Sequence, residues 1–212
     1  MMDSVASPVD EQGSTGLDVV IERLAGVQAL DGVADPVHRV LRQMPEGAAA
    51  LLRGRWLGHP VHPVLTDLAI GFWTSAWVLD MVGGTQSEGA ADALVGLGVV
   101  SAVPTVATGW ADWVTLPRSQ RRIGVVHAVS NAAATSLFAA SWLARRNGAR
   151  GRGVALCHAG AAVATVGGML GGHLAFARSP SAGSPNGSVD QNGPGRGAEA
   201  PSRVAGQDES LQ

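Results

Sequence analysis

A long apolar middle between two polar ends constrains this chain more than any other feature. It runs from about residue 63 to residue 177 and holds four stretches of close to the ~20 residues that a helix needs to cross a bilayer core. The mean hydropathy of the whole chain is low only because the polar ends dilute this middle. The sequence therefore predicts an integral membrane protein.

The apolar middle divides into four predicted spans, which cover residues 63–82, 91–114, 123–143 and 153–177. Short connections rich in Gly, Pro or Arg separate them, and short connections make neighbouring helices antiparallel. The predicted fold is all-α, a four-helix transmembrane bundle with up-down-up-down topology. We find no internal repeat in the sequence, and only Pro104 interrupts a span, so the pattern does not favour a transporter.

The polar ends are predicted to be partly helical and partly disordered. Residues 1–16 form a disordered lead, 17–55 form short amphipathic helices beside the membrane, 56–178 form the membrane domain, and 179–212 form a disordered tail. Asp35 is expected to cap a short helix that begins at Pro36. The lead lacks the features of a secretory signal, so the first span is expected to direct insertion.

The distribution of arginine predicts the orientation of the chain in the inner (plasma) membrane. Eight arginines are expected on one side of the membrane and four on the other, which favours a cytoplasmic location for both termini. The net charge of −2 gives no reason to expect a nucleic-acid partner, so the expected partner is the lipid bilayer. The single cysteine, Cys157, excludes an intrachain disulfide and a Cys-ligated iron–sulfur cluster held by this chain alone.

Ionisable residues inside the apolar middle are the candidates for function, because charge in a bilayer is costly. Since the spans alternate in direction, six of these residues fall at one end of the predicted bundle. They are His59, His62, Asp67, Asp112, His127 and His173.

The histidines at this end predict a cofactor site. In an up-down bundle His62 would face His127 across the diagonal, and Asp112 would face His173. Two facing imidazoles are the ligand set of a bis-histidine haem. Asp67 and Asp112 would support the histidines, since carboxylates commonly orient imidazole ligands.

Structural interpretations compete with this one. His59 and His62 could cap the first span, and Asp112 could be an interfacial anchor or a partner of Arg121 or Arg122. An interhelical hydrogen bond would account for each of His127 and His173. His158, beside Cys157 at the other end, is interpreted as structural, and no activated nucleophile is apparent, so we do not expect an enzyme.

Four segments together resemble an uncharacterised bacterial membrane family, domain of unknown function 2231. They are the stretch from Trp56 to Ser75 (with His-Pro-x-His-Pro at residues 59–63), Ala107–Trp113, Gly124–Ala128 and Gly171–Ala175. The resemblance implies a four-span membrane domain of no established activity. In similar proteins a Rieske iron–sulfur domain can follow it, which implies electron transfer. This chain has no Cys-x-His pairs after residue 178, so the implied partner is a separate iron–sulfur or other redox protein.

Three functional hypotheses follow. The first is a membrane-embedded electron-transfer or redox-partner subunit that binds haem b or a quinone through His62, His127 and His173, with His59 as a further candidate. The second is a non-enzymatic membrane scaffold in which the His and Asp residues form a structural network. The third is a membrane protein with a divalent-metal site of His and Asp, for zinc or iron.

Overall fold

The computed structural model describes residues 16–176, and this part of the chain consists of helices joined by turns, with no strand. The predicted all-α class is therefore confirmed for the described residues. Residues 1–15 and 177–212, which include most of the predicted lead and the whole predicted tail, lie outside them. The helices are α1 Gly16–Gly26, α2 Asp31–Leu41, α3 Glu46–Leu52, α4 His62–Val82, α5 Glu88–Trp113, α6 Arg118–Arg146 and α7 Arg150–Phe176.

Three of the described helices are long and apolar enough to cross a membrane, namely those at Thr85–Trp113, Arg118–Arg146 and Arg150–Ala175. Helix α4 coincides with the first predicted span but is not among the three, and it carries Asp67 and Asp80. The helices are also longer than the apolar stretches, since α6 begins at Arg118 and ends at Arg146. Arg118 at the start of α6 and Arg145 near its end form ion pairs with other helices, which stabilises these polar extensions.

The four long helices pack as two hairpins. Helix α4 packs mainly against α5, and α6 packs mainly against α7, while smaller contacts join α5 to α6 and α4 to α7. Within each hairpin the start of the first helix meets the end of the second, as shown by hydrogen bonds from His62 to Thr105 and from His127 to Gly167. The arrangement places residues from distant parts of the sequence at common levels along the helices.

The two hairpins repeat the same contacts at the same spacings. His62, Trp73 and Asp80 of α4 have counterparts in α6 at identical spacing, which are His127, Phe138 and Arg145. The Trp73 and Phe138 rings stack on each other with centroids 4.0 Å apart and planes within 9° of parallel. The Asp80 and Arg145 side chains form an ion pair. Equivalent residues thus meet in pairs, as in repeats related by an axis along the helices.

Glycines on α5 and α7 preserve this equivalence. Trp73 packs against Gly98, and Phe138 packs against Gly160, where a Cβ would lie 3.3 Å from the Phe138 ring. Gly98 and Gly160 themselves occupy equivalent positions in the second helix of each hairpin. The sequence analysis did not find this repeat, because several equivalent positions differ in residue type, such as Trp73 and Phe138 or Asp80 and Arg145.

The short helices differ from the prediction in one place. Helix α2 begins at Asp31, so Asp35 and Pro36 lie inside it, and Asp35 does not cap it. Because Pro36 has no backbone N–H, the carbonyl of Gly32 receives no helical hydrogen bond from it. Gly32 is exposed to solvent. The earlier start places Asp31 and Asp35 one turn apart on one face of α2, where both contact the start of α6.

Candidate functional site

His62, at the start of α4, is held against α5. Its Nδ1 lies 3.0 Å from the carbonyl oxygen of Thr105 and 3.3 Å from the hydroxyl oxygen of Thr108. Its ring lies over Gly109, where a Cβ would be 2.8 Å from His62 Cε1. The carbonyl fixes the orientation of the imidazole, and the glycine allows the ring to approach the α5 backbone.

His127, near the start of α6, is held against α7 in the same way. Its Nδ1 lies 2.8 Å from the carbonyl oxygen of Gly167. Its ring lies over Gly171, where a Cβ would be 2.7 Å from His127 Cε1. The Asn131 amide nitrogen donates to the His127 carbonyl at 2.9 Å and lies 3.2 Å from each ring nitrogen of His127.

The two imidazoles form the centre of what we call the histidine end, which consists of His62, His127 and the residues that hold them. In each hairpin Nδ1 contacts the carbonyl one helical turn before the glycine that the ring covers. The same anchoring contacts thus recur at equivalent positions of the two hairpins.

The other predicted site residues do not join this pair. His59 is exposed and its Nδ1 lies 3.2 Å from the carbonyl of the adjacent Pro60. Asp67 is exposed on α4, and neither its side chain nor that of His173 makes a hydrogen bond with a described residue. Asp112 is half-buried near the end of α5. The expected pairing of Asp112 with His173 is not found among the described contacts.

Arg121 and Arg122 were considered as partners of Asp112, and both contact α2. Arg122 makes two parallel hydrogen bonds to the Asp31 carboxylate, at 2.8 and 2.7 Å, and a third to the Ala25 carbonyl at 2.7 Å. Arg121 lies 3.0 Å from Nε2 of His38 and 3.9 Å from Asp35. The described side-chain contacts of Arg121 and Arg122 are thus with α1 and α2, and the pairing of either arginine with Asp112 stays a prediction.

The hydrogen bond from Arg122, together with the nearby charge of Arg118, holds the pKa of Asp31 below its usual value. Arg118 also donates to Asp35 at 2.6 Å. We call Asp31, Asp35, Arg118, Arg121 and Arg122 the arginine collar. It fastens α2 to the beginning of α6.

A second polar cluster, which we call the ionic end, joins all four long helices at their opposite end. Arg145 of α6 pairs with Asp80 of α4, and both side chains are at most 1% exposed. Arg145 also donates to Asp92 of α5 at 2.9 Å. Arg150 of α7 donates to Asp80 and to Asp92, each at 2.7 Å, and lies 3.2 Å from Glu88.

The sequence analysis missed the ionic end although a signal was present. Asp80 and Asp92 are acidic residues at the margins of apolar helices, and such residues are functional or structural candidates by default. Arg145 and Arg150 were assigned to a connection because the apolar stretches end at Leu143 and begin again at Gly153. To pair Asp80 and Asp92 with these arginines, the sequence analysis would have had to extend the third span beyond Leu143 and begin the fourth before Gly153.

The described residues contain no group of three or more His, Cys, Asp or Glu side chains placed to hold a metal ion. The two imidazoles of the histidine end are two potential nitrogen ligands rather than a compact metal site. At the ionic end, every carboxylate is engaged by arginine. The divalent-metal hypothesis gains no support from this geometry.

Comparison with known proteins identifies the family of this chain from its sequence. No curated protein and no solved structure matches it. One family model, described as a predicted membrane protein (DUF2231), matches residues 58–179, which is more than half of the chain and includes all four long helices from α4 onward. The chain therefore belongs to the DUF2231 family of membrane proteins, as its sequence motifs predicted.

Proposed function

We propose that this protein is a four-span membrane protein whose His62 and His127 bind haem b for electron transfer. The observation that carries the proposal is the matched anchoring of the two imidazoles. Each Nδ1 contacts a backbone carbonyl of the partner helix, and each ring lies over a glycine.

The anchoring fits an axial-ligand role. An imidazole that donates its Nδ1 hydrogen to a carbonyl keeps the lone pair of Nε2 for a metal, and such hydrogen bonds fix the tautomer of ligating histidines. His62 and His127 would hold the haem, and Thr105 and Gly167 would orient them. When bound, a bis-histidine haem supplies one-electron transfer. A quinol, whose hydroxyl would donate a hydrogen bond to Nε2 of such an imidazole, is the reduced form of the other redox ligand consistent with this pair, a quinone.

The proposal includes an arrangement in the membrane. Helices α4 to α7 each cross the bilayer, and α4 crosses despite Asp80 because that carboxylate is buried against Arg145 and Arg150. Both termini lie in the cytoplasm, at the histidine end, where the arginine count is higher. The redox partner is a separate iron–sulfur or other redox protein.

A non-enzymatic scaffold is the second candidate, and a specific observation favours it. The Nδ1 atom of each histidine already contacts a neighbouring helix, and Asn131 lies beside both ring nitrogens of His127. Under this alternative the imidazoles only join helices. The two candidates make opposite predictions for light absorption and similar ones for stability.

Visible absorption of the detergent-purified full-length protein tests the proposal. After expression with ample haem, we expect a Soret band and sharp α and β bands on dithionite reduction. His62→Ala and His127→Ala should each abolish the low-spin spectrum. His158→Ala is the matched control, since His158 is exposed and its Nδ1 contacts only the Val154 carbonyl of its own helix among hydrogen-bond partners.

Two results would reject haem binding. One is the absence of any chromophore in protein that is folded by circular dichroism. The other is a haem spectrum that survives both histidine substitutions. In the first case quinone extraction and analysis of the same preparation decides between the quinone and the scaffold alternatives.

A further inference from the structure

A cleft lined by two arginines opens where α2, α3 and the end of α5 meet. Its volume is about 150 Å³, which corresponds to about five water molecules at liquid density. The lining residues are Leu41, Arg42, Met44, Ala49, Arg53, Ala111 and Val114. Ala111 and Val114, which line the cleft, lie at the end of the apolar helix α5.

The two arginines of the cleft are unpaired within the described part of the chain. Neither Arg42 nor Arg53 has a side chain that makes a hydrogen bond or ion pair with a described residue. The Nε of Arg53 is buried and lacks a hydrogen-bond partner there. Glu46, the acidic residue of α3, lies 3.8 Å from Arg55 instead. The cleft therefore presents two positive charges and a buried donor to an anion.

An apolar groove continues from this cleft along α2. Its volume is about 290 Å³, and Pro36, Val37, Val40 and Leu41 line it. Leu41 lines both cavities, so the groove and the cleft adjoin. Val40 is 67% exposed, although it belongs to a helix that lies beside the membrane domain. A positively charged cleft joined to an apolar groove is complementary to a molecule with an anionic head and a hydrocarbon chain.

We propose that the cleft and groove bind one anionic phospholipid. Arg42 and Arg53 hold its phosphate, and Arg53 Nε donates one of the hydrogen bonds. One acyl chain lies along Val37 and Val40. The site fixes α2 and α3 at the membrane surface, and it is separate from the histidine end, so it does not depend on the function proposed above.

Lipid titration of the purified full-length protein in detergent tests the site. We add phosphatidylglycerol and follow the shift in thermal unfolding temperature to obtain an apparent Kd. Arg42→Gln/Arg53→Gln should weaken that binding about tenfold or more, since each arginine contributes on the order of 1 kcal/mol toward an anionic headgroup. Arg42→Lys/Arg53→Lys should retain most of the binding because it keeps both charges.

Arg39→Gln is the matched control, because Arg39 is exposed on the same helix and does not line the cleft. It should change the apparent Kd little. Val40→Ser should weaken phosphatidylglycerol binding and leave the response to inorganic phosphate unchanged. Phosphatidylcholine should bind more weakly than phosphatidylglycerol.

Three results would overturn the proposal. The first is an equal loss of binding in the Arg39→Gln protein and the double glutamine variant. The second is full stabilisation by inorganic phosphate at the concentration that saturates the lipid effect, which would identify a soluble-anion site. The third is equal affinity for phosphatidylcholine and phosphatidylglycerol.

Discussion

The two ends of the long helices stabilise their polar side chains by different interactions. At the ionic end, carboxylates and guanidinium groups from all four helices neutralise one another around the buried pair of Asp80 and Arg145. At the histidine end, the Nδ1 atom of each imidazole contacts a backbone carbonyl of the neighbouring helix in its own hairpin. The first end thus joins the two hairpins through charge, whereas these hydrogen bonds of the second end join the two helices within each hairpin.

From this difference we infer that the ionic end is the more rigid of the two and that the histidine end is the one that can bind a ligand. A buried ion pair is expensive to disrupt because the remaining charge stays in a medium of low dielectric constant. A hydrogen bond between helices in a membrane contributes much less. We therefore expect substitutions to have their largest effects on stability at the ionic end and their largest effects on ligands at the histidine end.

The largest expected effect is that of Arg145→Met, which leaves Asp80 buried with only Arg150 to neutralise it. We expect a loss of about 3–5 kcal/mol in the free energy of unfolding, measured by circular dichroism during titration from mild detergent into dodecyl sulfate. Arg146→Met is the control, since Arg146 is exposed and lies 5.0 Å from the Trp142 ring centroid. Equal losses in both variants would show that the ionic end does not join the hairpins.

The next effect concerns the close approach of the imidazoles to glycine. Gly171→Ala would place a Cβ 2.7 Å from His127 Cε1, so the ring must move. Overpacking of this kind costs about 1–3 kcal/mol, and the same unfolding titration would detect it. Gly172→Ala is the matched control because no other group lies within 4 Å of a Cβ at that position. A neutral Gly171→Ala protein would contradict the described packing.

A smaller effect is expected from His127→Ala, which removes the contact with the Gly167 carbonyl. Interhelical hydrogen bonds in membrane proteins contribute about 0.6 kcal/mol on average and up to about 1.7. His158→Ala should cost less, because the Nδ1 of His158 contacts a carbonyl of its own helix. If His127→Ala lowered the free energy of unfolding as much as Arg145→Met does, the proposed difference between the two ends would be rejected.

The smallest effect should be the response of the arginine collar to acid. Because Arg122 lowers the pKa of Asp31, the docking of α2 is favoured above the ordinary aspartate pKa and is lost as the pH falls through the lowered value, below about pH 4. Limited proteolysis with pepsin across this range should show α2 becoming susceptible. Asp31→Asn should be susceptible at higher pH as well, whereas Glu22→Gln on the exposed face of α1 should behave as the unmodified protein does. Identical pH profiles for all three proteins would reject this role of Asp31.

The sequence was sufficient for those features that depend on one element at a time. The helical class follows from the apolar stretches, and so does the position of His62 and of His127 near the start of its own helix. Specific contacts between two elements were not predictable. The partners of Arg121 and Arg122 depended on where α2 begins, and hydropathy does not define a helix start to within a turn.

The repeat escaped the sequence analysis for a related reason. Its equivalent residues include a tryptophan with a phenylalanine, an aspartate with an arginine, and Val95 with Cys157, which are both fully buried. Such pairs have little sequence similarity. What they share is a position relative to the partner helix, which only the packing reveals.

The opposite charges of Asp80 and Arg145, which occupy equivalent positions in the two hairpins, also determine how the hairpins can associate. Two copies of the first hairpin would bring two aspartates together in an apolar interior, and two copies of the second would bring two arginines together. Only a mixed pair neutralises both. Association of one hairpin with the same hairpin of a neighbouring chain is therefore electrostatically unfavourable.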